Sequence, residues 1–181
     1  MLFRSFEDAA LGTMGFVDGD WGTAISSIEQ VADPTGRSGG ALGINFDAAG
    51  DKDPVMVTKV DLPGTPAMLS IDVWLPADCP DSIYFKIFNQ DVNWSWQDKG
   101  YYAADIPKET WYPVYFDFRL GAMNGADYSQ TLETLGIECQ AYEVADTNKT
   151  WTGQILMDDV KFIGAEPTEI DSILDQVVEH F

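Results

Sequence analysis

Four segments of the chain alternate apolar and polar residues with the period of an extended strand. Leu69, Ile71, Val73 and Leu75 interleave with Ser70, Asp72 and Trp74. Ile83, Phe85 and Ile87 interleave with Tyr84, Lys86 and Phe88. Tyr112, Val114, Phe116 and Phe118 interleave with Trp111, Pro113, Tyr115 and Asp117, and Leu135, Ile137, Cys139 and Ala141 with Gly136, Glu138, Gln140 and Tyr142. Successive strand side chains point to opposite faces, so each run has one face for a core. Turn chemistry punctuates the runs at Asp33-Pro34, Asp53-Pro54 and Leu62-Pro63-Gly64. Shorter strands are expected at 2–7, 25–31, 40–46, 54–60 and 153–163. Eight to ten strands with no helices between them predict an all-β fold, a two-sheet antiparallel β-sandwich spanning residues 1–164.

The pattern changes at the end of the chain. Ile170, Ile173, Leu174, Val177, Val178 and Phe181 recur at helical spacing, with Thr168 as N-cap. Residues 165–181 therefore read as a short amphipathic helix packed on the sandwich, or as the linker to a neighbouring module.

The non-core positions of the four strands are unlike an ordinary solvent face. They carry Asp72 and Trp74, then Tyr84, Lys86, Phe88 and Gln90, then Trp111, Tyr115 and Asp117, then Glu138, Gln140 and Tyr142. Read as one sheet face, this mixture suits a sugar. The C–H face of a pyranose stacks on an aromatic ring, and its hydroxyls pair with amides and carboxylates. Asn93-Trp94-Ser95-Trp96-Gln97, with Tyr101-Tyr102 close behind, is the densest such cluster. It reads as a loop or the start of the next strand. In an extended segment Trp94 and Trp96 would share a side. Trp21 and Trp151 sit among small polar residues and read as loop aromatics at the rim of a binding surface. The ligand-binding candidates are Trp21, Tyr84, Gln90, Trp94, Trp96, Gln97, Gln140 and Trp151. The competing reading is that a loop, or the 168–181 helix, covers these aromatics. Asn93-Trp94-Ser95 and Asn148-Lys149-Thr150 are also glycosylation sequons.

Charge narrows the partners. Ten Lys and Arg against thirty Asp and Glu leave a net charge of −20. Nucleic acids, anionic membranes and acidic polysaccharides would be repelled. At 45% hydrophobic residues the chain can bury a core. No apolar run is long enough for a bilayer span, and the first residues lack the apolar stretch of a signal peptide. The only histidine, His180, is penultimate, which excludes His-dependent triads and multi-His metal sites. Cys79 and Cys139 form no metal pair, and one bridge between them is the only disulfide possible. Glu7-Asp8 and Asp158-Asp159 place carboxylates at both ends of the sandwich. Charges set in apolar strands are costly unless paired or coordinated, and calcium can draw oxygens from distant segments.

Several segments, in order, resemble the β-sandwich carbohydrate-binding modules with a galactose-binding-like jelly-roll fold, of families such as 4, 11, 22 and 27. They are Ser5-Phe6-Glu7-Asp8, Trp21, Ser38-Gly39-Gly40-Ala41-Leu42-Gly43-Ile44, Leu69 to Trp74, Trp111 to Asp117, and Ile155 to Phe162, together covering residues 3–164. The resemblance implies a non-catalytic module, secreted or at the surface of a bacterium, fused to a glycoside hydrolase. It implies a structural Ca2+ joining the first and last strands, held by Glu7 and Asp158 with carbonyls around Ser38 and Gly39. It also implies a glycan on the concave face or sheet rim, and assigns Trp111 to a strand-opening structural position. The loop 121–134, with Asp127 and Tyr128, resembles a glucan-contacting region of family 11.

The leading expectation is therefore binding of a neutral β-linked polysaccharide such as mannan, glucan or xylan. Two other classes compete. A surface adhesion or assembly module would dock protein on the same aromatics. A sandwich glycosidase would need two carboxylates across the scissile bond. Asp72, Asp117 and Glu138 lie on separate strands, and no short carboxylate array is present.

Overall fold

The computed structural model describes residues 2–4, 17–18, 25–37, 39–49, 55–62, 68–91, 93, 96–117, 132–141 and 150–163. Within them the chain runs through β1 (Leu2–Arg4), β2 (Val17–Asp18), β3 (Ile25–Val31), β4 (Ala41–Ala49) and β5 (Val55–Leu62). It continues through β6 (Met68–Trp74), β7 (Ile83–Asp91), β8 (Trp96–Tyr102), β9 (Tyr112–Asp117), β10 (Leu132–Ala141) and β11 (Thr150–Ile163). The first sheet has the order β3-β4-β11-β6-β9, with β1 also on β11. The second has the order β2-β5-β10-β7-β8. All pairings are antiparallel. The expected all-β sandwich is present, and the first and last strands are neighbours. The segment 165–181, including the expected helix, lies outside the described residues.

Alternation identified the core sides. Leu42, Ile44 and Phe46 of β4, Leu69, Ile71 and Val73 of β6, and Val114 and Phe116 of β9 meet Ile83 and Ile87 of β7 and Leu135 of β10. Each such side chain removed from water contributes roughly 1.5–3 kcal/mol, so the two apolar faces hold the sheets together. Cys79 is free and buried in the same core, so no Cys79–Cys139 bridge forms. Burial pushes its thiol up to about 12.

One irregularity follows from two adjacent acids. Met157 and Val160 both enter the core, although a regular strand puts residues three apart on opposite faces. The register with β6 slips between Asp158 and Lys161, and Asp159 takes φ 51°, a left-handed conformation that aspartate tolerates better than branched residues. The extra residue of this bulge keeps both apolar side chains inside and leaves Asp158 directly opposite Asp72.

The two sheets are also latched by a phenol. Tyr101 on β8 donates its hydroxyl to the Tyr115 carbonyl (2.6 Å) and accepts from the Tyr115 N–H (3.0 Å). β9 ends its sheet, so this one hydroxyl occupies backbone groups that an edge strand otherwise presents to solvent. Burial pushes the Tyr101 hydroxyl up to about 12, and the hydrogen bond to Tyr115 opposes this.

Candidate functional site

The non-core residues of the four long strands do not share one face. β6 and β9 belong to the first sheet, β7 and β10 to the second, so their outward residues lie on opposite outsides of the sandwich. This corrects the single aromatic face expected from the sequence. Alternation tells inside from outside, but sheet membership depends on long-range pairing.

The first sheet's outer face is closed on itself. Arg37, from the loop before β4, pairs with Asp72 and with Asp158 (3.3 Å). Its guanidinium lies 4.5 Å from the centre of the Trp111 ring, and the Trp111 indole N–H donates to Asp33 Oδ1 at 3.0 Å. Burial lowers the Arg37 pKa, but the hydrogen bond and charge of Asp72 and the charge of Asp158 outweigh it, and the net shift is upward. Beside this cluster, the Asn45 amide donates to Ser27 Oγ (2.7 Å) and Glu29 Oε1 (3.1 Å), and Gln154 donates to Asn45 Oδ1 (3.2 Å). The Trp74 indole N–H is a buried exception with no partner.

The second sheet's outer face is built from four cross-strand rows over β10, β7 and β8. They are Gln140–Tyr84–Tyr102, Glu138–Lys86–Gly100, Gly136–Phe88–Asp98 and Thr134–Gln90–Trp96. The Tyr84 and Tyr102 rings are 4.8 Å apart and tilted by 55°. Tyr84 lies along β8 over Gly100, where a Cβ would come within 1.7 Å of the phenol oxygen, so only glycine leaves room for that ring. Tyr102 is 44% exposed, the only exposed large hydrophobic among the described residues. The far end of the face is closed: Phe88, Gln90 and Thr134 are buried. The open part of the face therefore lies at the Tyr84 end of β7, short of Phe88.

This geometry sorts the sequence candidates. Tyr84 and Gln90 come together on the second sheet's outer face, with Gln140 and Trp96 in register beside them. Gln97 does not. It follows Trp96 by one residue, so it points into the sandwich, 2% exposed, where the Asn89 amide donates to its Oε1 at 3.5 Å. Trp151 is not on a loop but in β11, 6% exposed within the core, with its indole folded over Gly153. The side chain missing two residues on provides the slot that lets so large a ring enter, so it offers no stacking face. Trp21 and Trp94 lie outside the described residues. Tyr102 was absent from the candidates. Its signal was parity, since Trp96 and Tyr102 are an even number of residues apart on β8, a strand that had read partly as loop.

The expected calcium ligands are only partly described. Asp158 offers a carboxylate that is 1% exposed, and Gly39 a backbone carbonyl, both oxygen donors of the kind calcium takes. Glu7 and Ser38 lie outside the described residues. Arg37 already places positive charge on the Asp158 carboxylate, and no group of three His, Cys, Asp or Glu among the described residues could hold a metal.

No protein-family model matches the chain. No curated protein matches it either. Solved structures do. One, from a study of the promiscuous specificity of carbohydrate-binding modules of the β-sandwich superfamily, superposes with a TM-score of 0.64 at 16% identity, covering 88% of this chain and 60% of that one. A family 27 module that recognises mannan gives 0.60 at 13% identity over 90% of this chain and 95% of its own. The fold is that of the β-sandwich carbohydrate-binding modules. An exo-β-agarase shows how such a module fold can sit in an enzyme: TM-score 0.62 at 13% identity, with 92% of this chain matching only 25% of the agarase. Among the described residues no helix is long and apolar enough to cross a membrane.

Proposed function

We propose that this protein binds a neutral β-linked polysaccharide, of mannan, glucan or xylan type, along the outer face of its second sheet, without catalysis. The observation that carries the reading is the exposed Tyr102 ring paired with Tyr84 at one end of a face that has Lys86 and Asp98 beside it. One or two sugar rings stack on the tyrosines, each contact contributing roughly 1 kcal/mol beyond burial. Lys86 and Asp98, with Glu138 and Gln140 in register beside them, pair with hydroxyls farther along the chain. Trp96 belongs to this surface by its register, and Trp21 and Trp94, outside the described residues, stay candidates on the strength of the sequence. The net charge of −20 disfavours uronic acid polymers. The mannan-recognising module of the same fold supports the ligand class, and the agarase chain supports attachment to a glycoside hydrolase. A structural calcium on Glu7, Ser38, Gly39 and Asp158 would supply positive charge tying the loop before β4 to the last strand. Electrophoresis through gels containing mannan, glucan or xylan tests the reading. Retardation in at least one polymer is the expected result, and unretarded migration in all three contradicts it.

A further inference from the structure

We propose that the outer edge of β9 is a self-association surface for a second copy of this chain, held shut by the Tyr101 side chain. β9 ends the first sheet, with only β6 beside it. Four of its six residues, Tyr112, Val114, Tyr115 and Phe116, are aromatic or β-branched, and such residues favour strands. An edge of this composition, if bare, offers unpaired N–H and C=O groups to another chain. Along an antiparallel strand these groups alternate between the two sides. The Tyr101 hydroxyl reaches both groups of Tyr115, at 2.6 Å to the carbonyl and 3.0 Å from the N–H, so Tyr115 faces away from β6. Pro113 and Asp117, two residues to either side, face the same way.

Two copies can meet along this edge because it is self-complementary. Antiparallel pairing about a twofold axis at Tyr115 sets that residue opposite its equivalent, each donating its N–H to the other's carbonyl, and sets Pro113 opposite Asp117. Only the bonds that would need a Pro113 N–H are lost. Tyr101 blocks the pairing at its centre. Its hydroxyl uses its hydrogen and a lone pair on Tyr115. Its ring, packed against the core from β8, ends where the incoming strand would lie, roughly 4.8 Å from β9. A bond between the sheets could have been made to any group on β9; this one falls on the middle of the three outward residues and occupies both of its groups. Lys99 places a positive charge 5.2 Å from the Tyr101 ring centre, and charge beside an edge opposes pairing.

Tyr101→Val keeps a strand-forming, apolar residue on β8 but cannot reach β9. In sedimentation equilibrium the wild type is expected to remain a monomer, and Tyr101→Val to dimerise at least tenfold more tightly. Adding Tyr115→Pro removes the N–H at the centre of the pairing without taking a bond from β6, and is expected to return the chain to monomer. Pro113→Val restores the missing donor with Tyr101 in place and is expected to stay monomeric. A dimeric wild type, or a folded Tyr101→Val that remains a monomer, overturns the proposal. So does association that persists after Tyr115→Pro, which would come from exposed core. Dimerisation of Pro113→Val alone overturns it as well, because Pro113 would then be the guard. Should Tyr101→Val fail to fold, Pro113→Val decides alone.

Discussion

The two outer faces of the sandwich handle their polar groups in opposite ways. On the first sheet, Arg37 joins Asp72 and Asp158 while capping Trp111, and Ser27, Glu29, Asn45 and Gln154 form one hydrogen-bonded ladder. On the second, the exposed Tyr102 ring stands beside Tyr84 at one end, and Phe88, Gln90 and Thr134 are buried at the other. The first arrangement pairs its charged and amide side chains within the chain, with the Trp74 indole N–H as an exception, while the second leaves an open ring at its Tyr102 end. Both faces contain aromatics and carboxylates, so composition does not tell them apart. The bonding pattern does.

The largest expected effect breaks the first face. Arg37→Met takes the guanidinium off the buried Asp158 carboxylate; because Arg37 itself is 36% exposed, the loss is smaller than for a fully buried pair, about 2 kcal/mol. Urea unfolding should show that loss while glycan affinity stays unchanged; a fall in affinity at equal folding would mean that the two faces are coupled. The complementary variant, Tyr84→Ala with Tyr102→Ala, removes two stacking contacts. It should weaken glycan binding about 30-fold, close to 2 kcal/mol, in isothermal titration. Gly100→Ala sharpens the same point: it keeps both rings but pushes Tyr84 off β8, so weakened binding is expected without any loss of aromatic surface.

A smaller effect concerns the cation at the end of the first face. If calcium joins Arg37 in neutralising that end, EDTA should lower the melting temperature by a few degrees, roughly 1 kcal/mol, and added calcium should restore it. An unchanged melt would count against calcium at that end. The last effect is absent at neutral pH and appears only in alkali. Cys79 and Tyr101 hold their protons to about 12 in the fold, so both release them more readily when unfolded. Their contribution is complete below pH about 9 and lost as pH rises from there toward 12. Cys79→Ala should move the onset up to about 10, the ordinary tyrosine value, as read from melts at stepped pH.

Much of the fold was legible because burial leaves a period-two trace. The inward residues of β6, β7, β9 and β10 were readable one strand at a time, since each had to put its apolar side on the same core. The site was less legible. Gln97 and Trp96 differ by one residue and so by a whole face, and only the register with β7 shows which is which. Trp151 looked like a loop residue because of its polar neighbours, but Gly153 opens a slot beside it that a linear reading does not show.

What the amino-acid order determined by itself was local: which residues are inside, where turns fall, and a charge that turns away anionic partners. Tertiary structure decided how strands from distant parts of the chain divide between two sheets, and so which aromatics share a surface. The physical reason is that inside and outside follow from each side chain's own preference for water. Neighbourhood across a sheet follows from hydrogen bonds between segments far apart in the chain, as where Leu2–Arg4 meets Val160–Phe162.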